Sequence, residues 1–599
     1  MRVSPKAQNC RMGLFSEVKR RNVHRMAVLY VVTSWLIMQA AEVVITLASL
    51  PDWTGRLTLI LLAIGFPIAL IFAWFYEITP EGLSLEKEIR PGGSITHRTG
   101  RRLDFIVIAL LCAGLIVFAY DKWWISGPPI TSIAVLPLEN LSIEAEQQFF
   151  ADGMTEVLTA ELGQIQSLRV ISRTSAMRYK VTDKPLPEIA RELAVDAIVE
   201  GSVQAVGDAV RFTLQLVDGR TDRHLWSGSY QRNIGDILTL QGEVARFIAD
   251  AIQTTLTPRD KARLERKRST TADALRLWVV GNHHLKGLEE DSFNKALRAF
   301  EEAIHRDPNF SDAYAGIAQA YAFLGSWHAA HALDTVLPLA KAAAEKAIRL
   351  DPDLAAVHFA LGMIHRQDWK WEDAEREFRK GRELNPSDTA GLVEYANFLT
   401  AIGRFDQAIE VATYAVELDP FSPSAHNELG MALWFAGQDA AALGKYQDAL
   451  QLDPEFFQTQ WILSDYHIRA GDYDKALPFL EKLKQDFESL APVMIGLVGA
   501  DFAMAGREDD AREMLSYLLK RAETEYVPGS ALAYLYSGLQ DYDEAVVWLE
   551  VAYEQHDQSM IFLKVDPSFA KLHSDARFQD ILSRMNFPDA KRDSKDQKS

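Results

Sequence analysis

The chain has 599 residues, with 63 Lys+Arg against 82 Asp+Glu and a formal net charge of −19. That length exceeds what one hydrophobic core organises, so several domains are expected. The first 125 residues hold 14 basic and 9 acidic side chains, which leaves the remainder at −24. A surface that acidic repels phosphate backbones, so no nucleic-acid partner is expected for it.

Residues 1–26 form a short polar lead carrying Lys19, Arg20, Arg21 and Arg25. No apolar run precedes Cys10, which excludes a lipoprotein cysteine, and Met12 opens a stretch that reads as an alternative start. Three apolar runs follow within a module spanning 27–124, at about 27–50, 57–76 and 104–121. About 20 apolar residues span a bilayer core, and Tyr120, Trp123 and Trp124 suit an interfacial belt, so three transmembrane helices are expected. The first run is too long for a cleaved signal core.

Lys87, Arg90, Arg98, Arg101 and Arg102 fill the loop before the third run, whereas Lys122 alone follows it. The positive-inside rule then puts the N-terminus in the cytoplasm. The expected localisation is a multi-pass bacterial inner-membrane protein with its C-terminal domains periplasmic, a lipid bilayer as partner, and helices able to mediate homo-oligomers. Glu42, within the first run, is read as helix packing or a water-exposed position, with a signalling or assembly role as the alternative. The only cysteines are Cys10 and Cys112, so the chain beyond residue 125 relies on no disulfide.

After Gly127-Pro128-Pro129, "SIAVLPLENLS" has strand length and turn-rich ends, and "EQQFFADGMTEVLTAELGQI" has helical periodicity. "LRVISRTSAM" reads as a strand and "LPEIARELAVD" as a short helix. Residues 197–232 alternate apolar and polar side chains across two turns, an antiparallel meander, before a closing helix at 237–256. Through "IAVLPLENLS", "FFADGMTEVLTAELGQI", "LRVISRTS", "AIVEGSV" and "HLWSGSYQR", residues 130–258 resemble the TolB-like amino-terminal domain. That resemblance implies an α/β fold placed between a membrane segment and a repeat array.

The chemistry of this part is thin. Asp152, Glu156 and Glu161 lie at helix spacing and read as a solvated face, while His224 beside Trp226 reads as packing or surface. Gly153, Gly201 and Gly207 do not compose a phosphate loop.

Pro308, Pro352, Pro386, Pro420 and Pro454 close similar phrases, and the last four lie 34 residues apart. Small and aromatic residues recur ahead of them: Ala374, Phe378, Gly381; Ala408, Ala412, Ala415; Ala442, Tyr446, Ala449. This resembles the tetratricopeptide repeat (TPR), a helix pair of 34-residue period that buries its apolar face only by stacking on neighbours. The array is placed at 274–560, with weaker repeats at Ala476, Ala511 and Ala545, a C-terminal cap at 561–587 and a charged disordered tail at 588–599. About ten extra residues between Pro308 and Pro352 are expected to lengthen helices.

The first helix of each repeat lines the concave face of such an array. Counting from the prolines, the candidate groove holds Phe359, Met363, Arg366, Val393, Asn397, Asn427, Met431, Trp434, Gln458, Trp461 and Asp465. The alternative for Trp434 and Trp461 is packing between repeats. His283, His284, His328 and His331 lack a third ligand for a metal, and Gly437–Tyr446 lacks the spacing of a nucleotide loop. No catalytic, cofactor-binding or metal-binding residue is assigned.

The overall expectation is a multidomain membrane protein: three transmembrane helices, an α/β TolB-like domain and an all-α TPR solenoid. It would bind a protein or peptide ligand, without enzymatic activity, as scaffold or sensor. The alternative is a transmembrane signalling component served by a separate cytoplasmic effector, since about 25 residues precede the first run, too few for a winged helix or a cyclase.

Overall fold

The computed structural model describes residues 23–47, 53–79, 82–85 and 129–588, apart from 142–146, 207–208, 253, 255, 267, 269, 288–289, 327–330 and 486. Two compact units result, Met1–Pro129 and Ile130–Ser599.

In the first unit, α1 (Val23–Leu47) packs on α2 (Trp53–Phe75), followed by an antiparallel hairpin of β1 (Tyr76–Thr79) and β2 (Gly82–Leu85). The Tyr30 hydroxyl donates to Leu62 O at 2.8 Å, and its ring lies 5.6 Å from that of Phe66. Gly65 makes this approach feasible, since a Cβ there would stand 2.2 Å from the hydroxyl.

This unit corrects the membrane assignment. Among the described residues no helix is long and apolar enough to cross a membrane. Three transmembrane helices, and with them a multi-pass inner-membrane localisation, are therefore not supported; hydropathy of the whole runs had carried both. The third run, the Glu42 side chain, Cys10, Met12, Cys112 and the tail from 589 lie outside the described residues.

The second unit begins with a sheet. Its strands are β3 (Ser132–Val135), β4 (Glu139–Asn140), β5 (Arg169–Val170), β6 (Ala197–Val206), β7 (Ala209–Asp218) and β8 (Arg223–Asn233). The order is β5-β3-β6-β7-β8, with β4 beside β6. β3 runs parallel to β5 and β6, and β6 to β8 form an antiparallel meander. Alternation along β7 buries Val210, Phe212, Leu214 and Leu216 on one face, against α3 (Gln147–Gly163) and α6 (Ile237–Ala251), while the short α4 (Arg173–Ala176) and α5 (Leu186–Glu192) cover the other.

Beyond α7 (Pro258–Leu264) the chain forms helix pairs: α8 (Ala272–Leu285) with α9 (Glu290–Arg306), α10 (Ser311–Leu324) with α11 (Leu333–Leu350), α12 (Ala355–Gln367) with α13 (Trp371–Leu384), and α14 (Thr389–Ala401) with α15 (Phe405–Leu418). The series continues with α16 (Pro423–Phe435) and α17 (Asp439–Leu452), α18 (Phe457–Arg469) and α19 (Tyr473–Lys484), α20 (Pro492–Met504) and α21 (Glu508–Ala522), and α22 (Gly529–Gly538) and α23 (Tyr542–Glu554). The residues added before Pro352 fall in the connection after α10 and in α11, which has 18 residues.

Ring-on-glycine contacts set the helix spacing. A Cβ at Gly362 would sit 2.7 Å from the Phe378 ring, and one at Gly430 2.5 Å from Tyr446. The turn inside each later pair takes a left-handed residue, Gly403 (φ 81°) and Gly437 (φ 75°) among them. In the α12–α13 turn that position is Trp369 (φ 53°), which stacks on His556 at 3.8 Å and Tyr553 at 5.2 Å.

Those stacks belong to a closure. Two 3₁₀ stretches (Gln558–Phe562 and Pro567–Ser574) and α24 (Ala576–Met585) run back along the turn edge of the array. Phe562 lies 6.2 Å from Phe435, Arg469 Nη2 donates to Ser568 Oγ at 2.9 Å, and Trp371 Nε1 donates to Met585 O at 2.9 Å. The opposite edge carries the proline turns, and the α/β part docks there. Thr270 Oγ1 donates to Asp307 at 2.7 Å, Arg266 pairs with Asp351 at 2.5 Å, Val170 N donates to Ser387 Oγ at 3.3 Å, and Ser175 Oγ donates to Asp419 at 2.5 Å. Successive repeat turns are thus fastened to the sheet domain by one short arginine-rich stretch and the loops around β5.

Candidate protein-binding groove

The inner helices α12, α14, α16 and α18 carry the groove residues, with α20 next in the series, and burial divides those residues. Phe359, Met363, Arg366, Gln458 and Asp465 are buried, whereas Val393, Asn397, Asn427, Met431, Trp434 and Trp461 are half-buried. Phe359 fits between Gly381 and Gly391, where a Cβ would lie 3.0 and 2.4 Å from its ring, so it belongs to the packing between pairs.

A polar chain crosses these helices. Arg366 Nη2 pairs with Glu394 Oε2 at 2.8 Å and its Nη1 donates to Asn397 Oδ1 at 2.7 Å; Asn397 Nδ2 donates to Glu428 Oε2 at 3.3 Å. Thr459 Oγ1 donates to Asn427 Oδ1 at 2.7 Å. Arg469 Nε donates to both oxygens of Asp465 at 2.9 Å, and its guanidinium sits 6.0 Å from the centre of the Trp434 ring. The two asparagines are therefore spent partly on neighbouring helices.

Burial decides the charge state of the acids that lack a cation. It pushes the Glu428 carboxyl up to about 8, against the pull of Asn397. It also raises Asp501, on α20, well above the ordinary carboxylate range, and the neighbouring Asp465 adds to the rise. Several buried polar atoms on these helices have no hydrogen-bond partner: Arg366 Nε, Glu428 Oε1, Gln458 Oε1, Trp461 Nε1 and Asp501 Oδ2. Glu428 and Asp501 escaped the sequence reading, although Asp501 is the single charged residue of an otherwise apolar helix, a legible signal.

The other candidates are accounted for locally. Asp152 pairs with Lys180 at 2.8 Å, Glu156 with Lys286 at 2.8 Å and Glu161 with Arg268 at 2.8 Å. Trp226, beside His224, stacks on Tyr230 with centroids 6.3 Å apart. Gly201 permits the close approach of β6 to its antiparallel neighbour β7, since a Cβ there would lie 2.1 Å from Thr213 O, and Gly207 lies outside the described residues. The His331 ring bonds Glu290 at 2.9 Å, His283 lies edge-on to His284, and His328 is not described. Among the described residues no three His, Cys, Asp or Glu side chains gather as a metal site. A separate pocket of about 420 Å³ is lined by Gln166, Arg382, Tyr395 and Glu410 among others, and Arg382 there pairs with Glu410.

Residues 369–423, 399–455 and 427–490 match the family model for the tetratricopeptide repeat. A curated relative, the putative adenylate cyclase 3 of Rhizobium meliloti (strain 1021), is 31% identical over 250 residues, 41% of this chain and 42% of the relative. Cellulose synthase operon protein C of Pseudomonas fluorescens (strain SBW25) is 27% identical over 146 residues, 23% of this chain and 11% of that protein. The chain thus spans about two fifths or less of the length of these relatives. Among solved structures, the human IFIT1 dimer with m7Gppp-AAAA has a TM-score of 0.37 at 16% identity, covering 53% of this chain and 77% of that one. YrrB, a TPR protein with an unusual peptide-binding site, has a TM-score of 0.22 at 20% identity, covering 31% of this chain and 90% of its own. The helix pairs, their left-handed turns and the matched segments agree: this chain carries tetratricopeptide repeats.

Proposed function

We propose that the protein is a non-enzymatic, protein-binding scaffold whose inner face takes a peptide or protein segment. Asn397, Asn427, Met431, Trp434 and Trp461 supply the contact surface, with Arg366, Gln458 and Asp465 behind them, while Phe359 and Met363 support it from the core. The observation that carries this reading is the run of half-buried aromatic side chains and unpartnered buried polar atoms on successive inner helices. Buried polar groups without partners are costly, and a bound main chain supplies both donors and acceptors. The sheet domain, read as TolB-like, holds the proline-turn edge and leaves the inner face to the partner.

The test compares two readouts on one variant. Trp434→Ala with Trp461→Ala removes large interface aromatics, which costs about 2 kcal/mol or more of binding where they are anchors. Capture of the native partner should be lost while the melting midpoint moves little. An unfolded array with no selective binding defect would refute the reading.

A sensor role within a signalling system is the second reading, favoured by the likeness to a putative adenylate cyclase. It keeps catalysis outside this chain. Cyclic AMP formation from ATP that co-purifies with the chain would overturn the non-enzymatic assignment.

A further inference from the structure

Three buried side-chain oxygens without a hydrogen-bond partner sit on successive inner helices: Glu428 Oε1 on α16, Gln458 Oε1 on α18 and Asp501 Oδ2 on α20. Two unpartnered donors, Arg366 Nε and Trp461 Nε1, accompany them, so it is the carboxyls that set the charge a partner must bring. The two guanidiniums nearby are already committed, Arg366 to Glu394 and Asn397, Arg469 to Asp465 and Ser568. Glu428 and Asp501 are left without a cation of their own.

We propose that the segment bound on the inner face is basic, its lysine or arginine side chains answering Glu428, Gln458 and Asp501. The inference rests on the groove reading above and specifies its partner. An ammonium offers three donors and a guanidinium five, each with a full positive charge, and charge-assisted bonds to carboxylates are the strong kind. A neutral or acidic peptide supplies fewer donors and meets Glu394, Glu428, Asp465 and Asp501 unfavourably. The net charge of −19 adds long-range attraction for a cationic segment.

The proton balance gives the inference its signature. Glu428 faces Asn397 and Glu394 on α14, Arg366 on α12 and Tyr446 on α17; Asp501 faces Asp465, Arg469 and Ser464 on α18. In the free protein burial keeps the Glu428 carboxyl protonated near neutrality and raises that of Asp501. A cation taking its place beside Glu428 expels that proton to solvent, so binding tightens as pH rises. The change approaches tenfold per pH unit for each proton released.

The probe is a fluorescent, amidated decapeptide of alternating lysine and alanine, titrated into the full chain by anisotropy at pH 6, 7 and 8. Its controls are the arginine and glutamate counterparts. The basic peptides should bind, more tightly at each higher pH, and the glutamate peptide should not. Glu428→Gln should weaken binding about tenfold or more and flatten its pH dependence, with melting unchanged or raised. Asp501→Asn provides an independent second variant, and the exposed Glu508→Gln should change nothing. Equal binding of all peptides, no binding of either basic peptide, or affinity indifferent to Glu428, Asp501 and pH overturns the inference. If these fail while the Trp434/Trp461 double variant still loses its partner, the groove reading stands and only the basic partner falls. If the basic peptides bind but the double variant keeps its partner, the groove reading falls instead.

Discussion

Replacing Arg268 by Met removes the centre of the joint between the sheet domain and the array. The guanidinium lies between Glu161 at 2.8 Å and Asp312 at 2.5 Å, with the three side chains 19%, 7% and 12% exposed. Breaking a buried pair by deleting one partner costs about 3–5 kcal/mol, because the surviving charge is stranded. Burial already pushes the Glu161 carboxyl up against the pull of Arg268, so this acid can take up a proton and relieve part of the strain. The expected loss is therefore about 3 kcal/mol at pH 7, shrinking as pH falls. Urea unfolding of the full chain measures it. Tryptic cleavage within 259–268, which holds several Lys and Arg, should accelerate in parallel as the joint loosens. Combining Arg268→Met with Glu161→Gln and Asp312→Asn should recover much of the loss, since no charge is then stranded. A loss under about 1 kcal/mol with unchanged cleavage would refute the idea that this ion cluster holds the joint.

The two glycine roles separate cleanly. Gly437→Ala meets nothing within 4 Å but sits at φ 75°, so it should cost about 1 kcal/mol from backbone strain alone. Gly362→Ala puts a Cβ 2.7 Å from the Phe378 ring and should cost about 1–3 kcal/mol, relieved by Phe378→Leu, which does nothing for Gly437→Ala. Glu428 gives a pH dependence. Its folded carboxyl titrates near 8, above its unfolded value, so the unfolded chain binds fewer protons in between and stability falls as pH rises through that window. Glu428→Gln should thus gain on the native protein by up to about 1.4 kcal/mol per pH unit between pH 5 and 8, read by urea midpoints. A constant difference would contradict the burial argument.

The repeats were legible because their signals are local. Prolines at a fixed period and small residues facing rings, such as Gly362 against Phe378, announce helix pairs without knowledge of the whole. Legibility ended where distant segments meet. Nothing in "ARLERKRST" states that Arg266 and Arg268 will reach Asp351 and Asp312, since those partners are brought near only by the curvature of the stack. Trp369 in a turn position that elsewhere takes glycine makes sense only once His556 lies on it. The groove reading found the inner helices from the period but took Phe359 and Met363 for lining, because periodicity assigns a face and not a depth. The membrane assignment failed for a related reason: hydropathy of a whole run does not establish a helix able to span a bilayer.

The central claim, that the inner face is where a partner binds, is tested most directly by site-specific photo-cross-linking. A photoreactive residue replaces Met431 on the inner helix α16 in one preparation and the exposed Val547 on α23 in another, each in the full chain and with the native partner present. Covalent capture of that partner from position 431 and not from 547, abolished by Trp434→Ala with Trp461→Ala, is the predicted result. Capture from 547 alone, or capture from 431 that survives the double substitution, would contradict it.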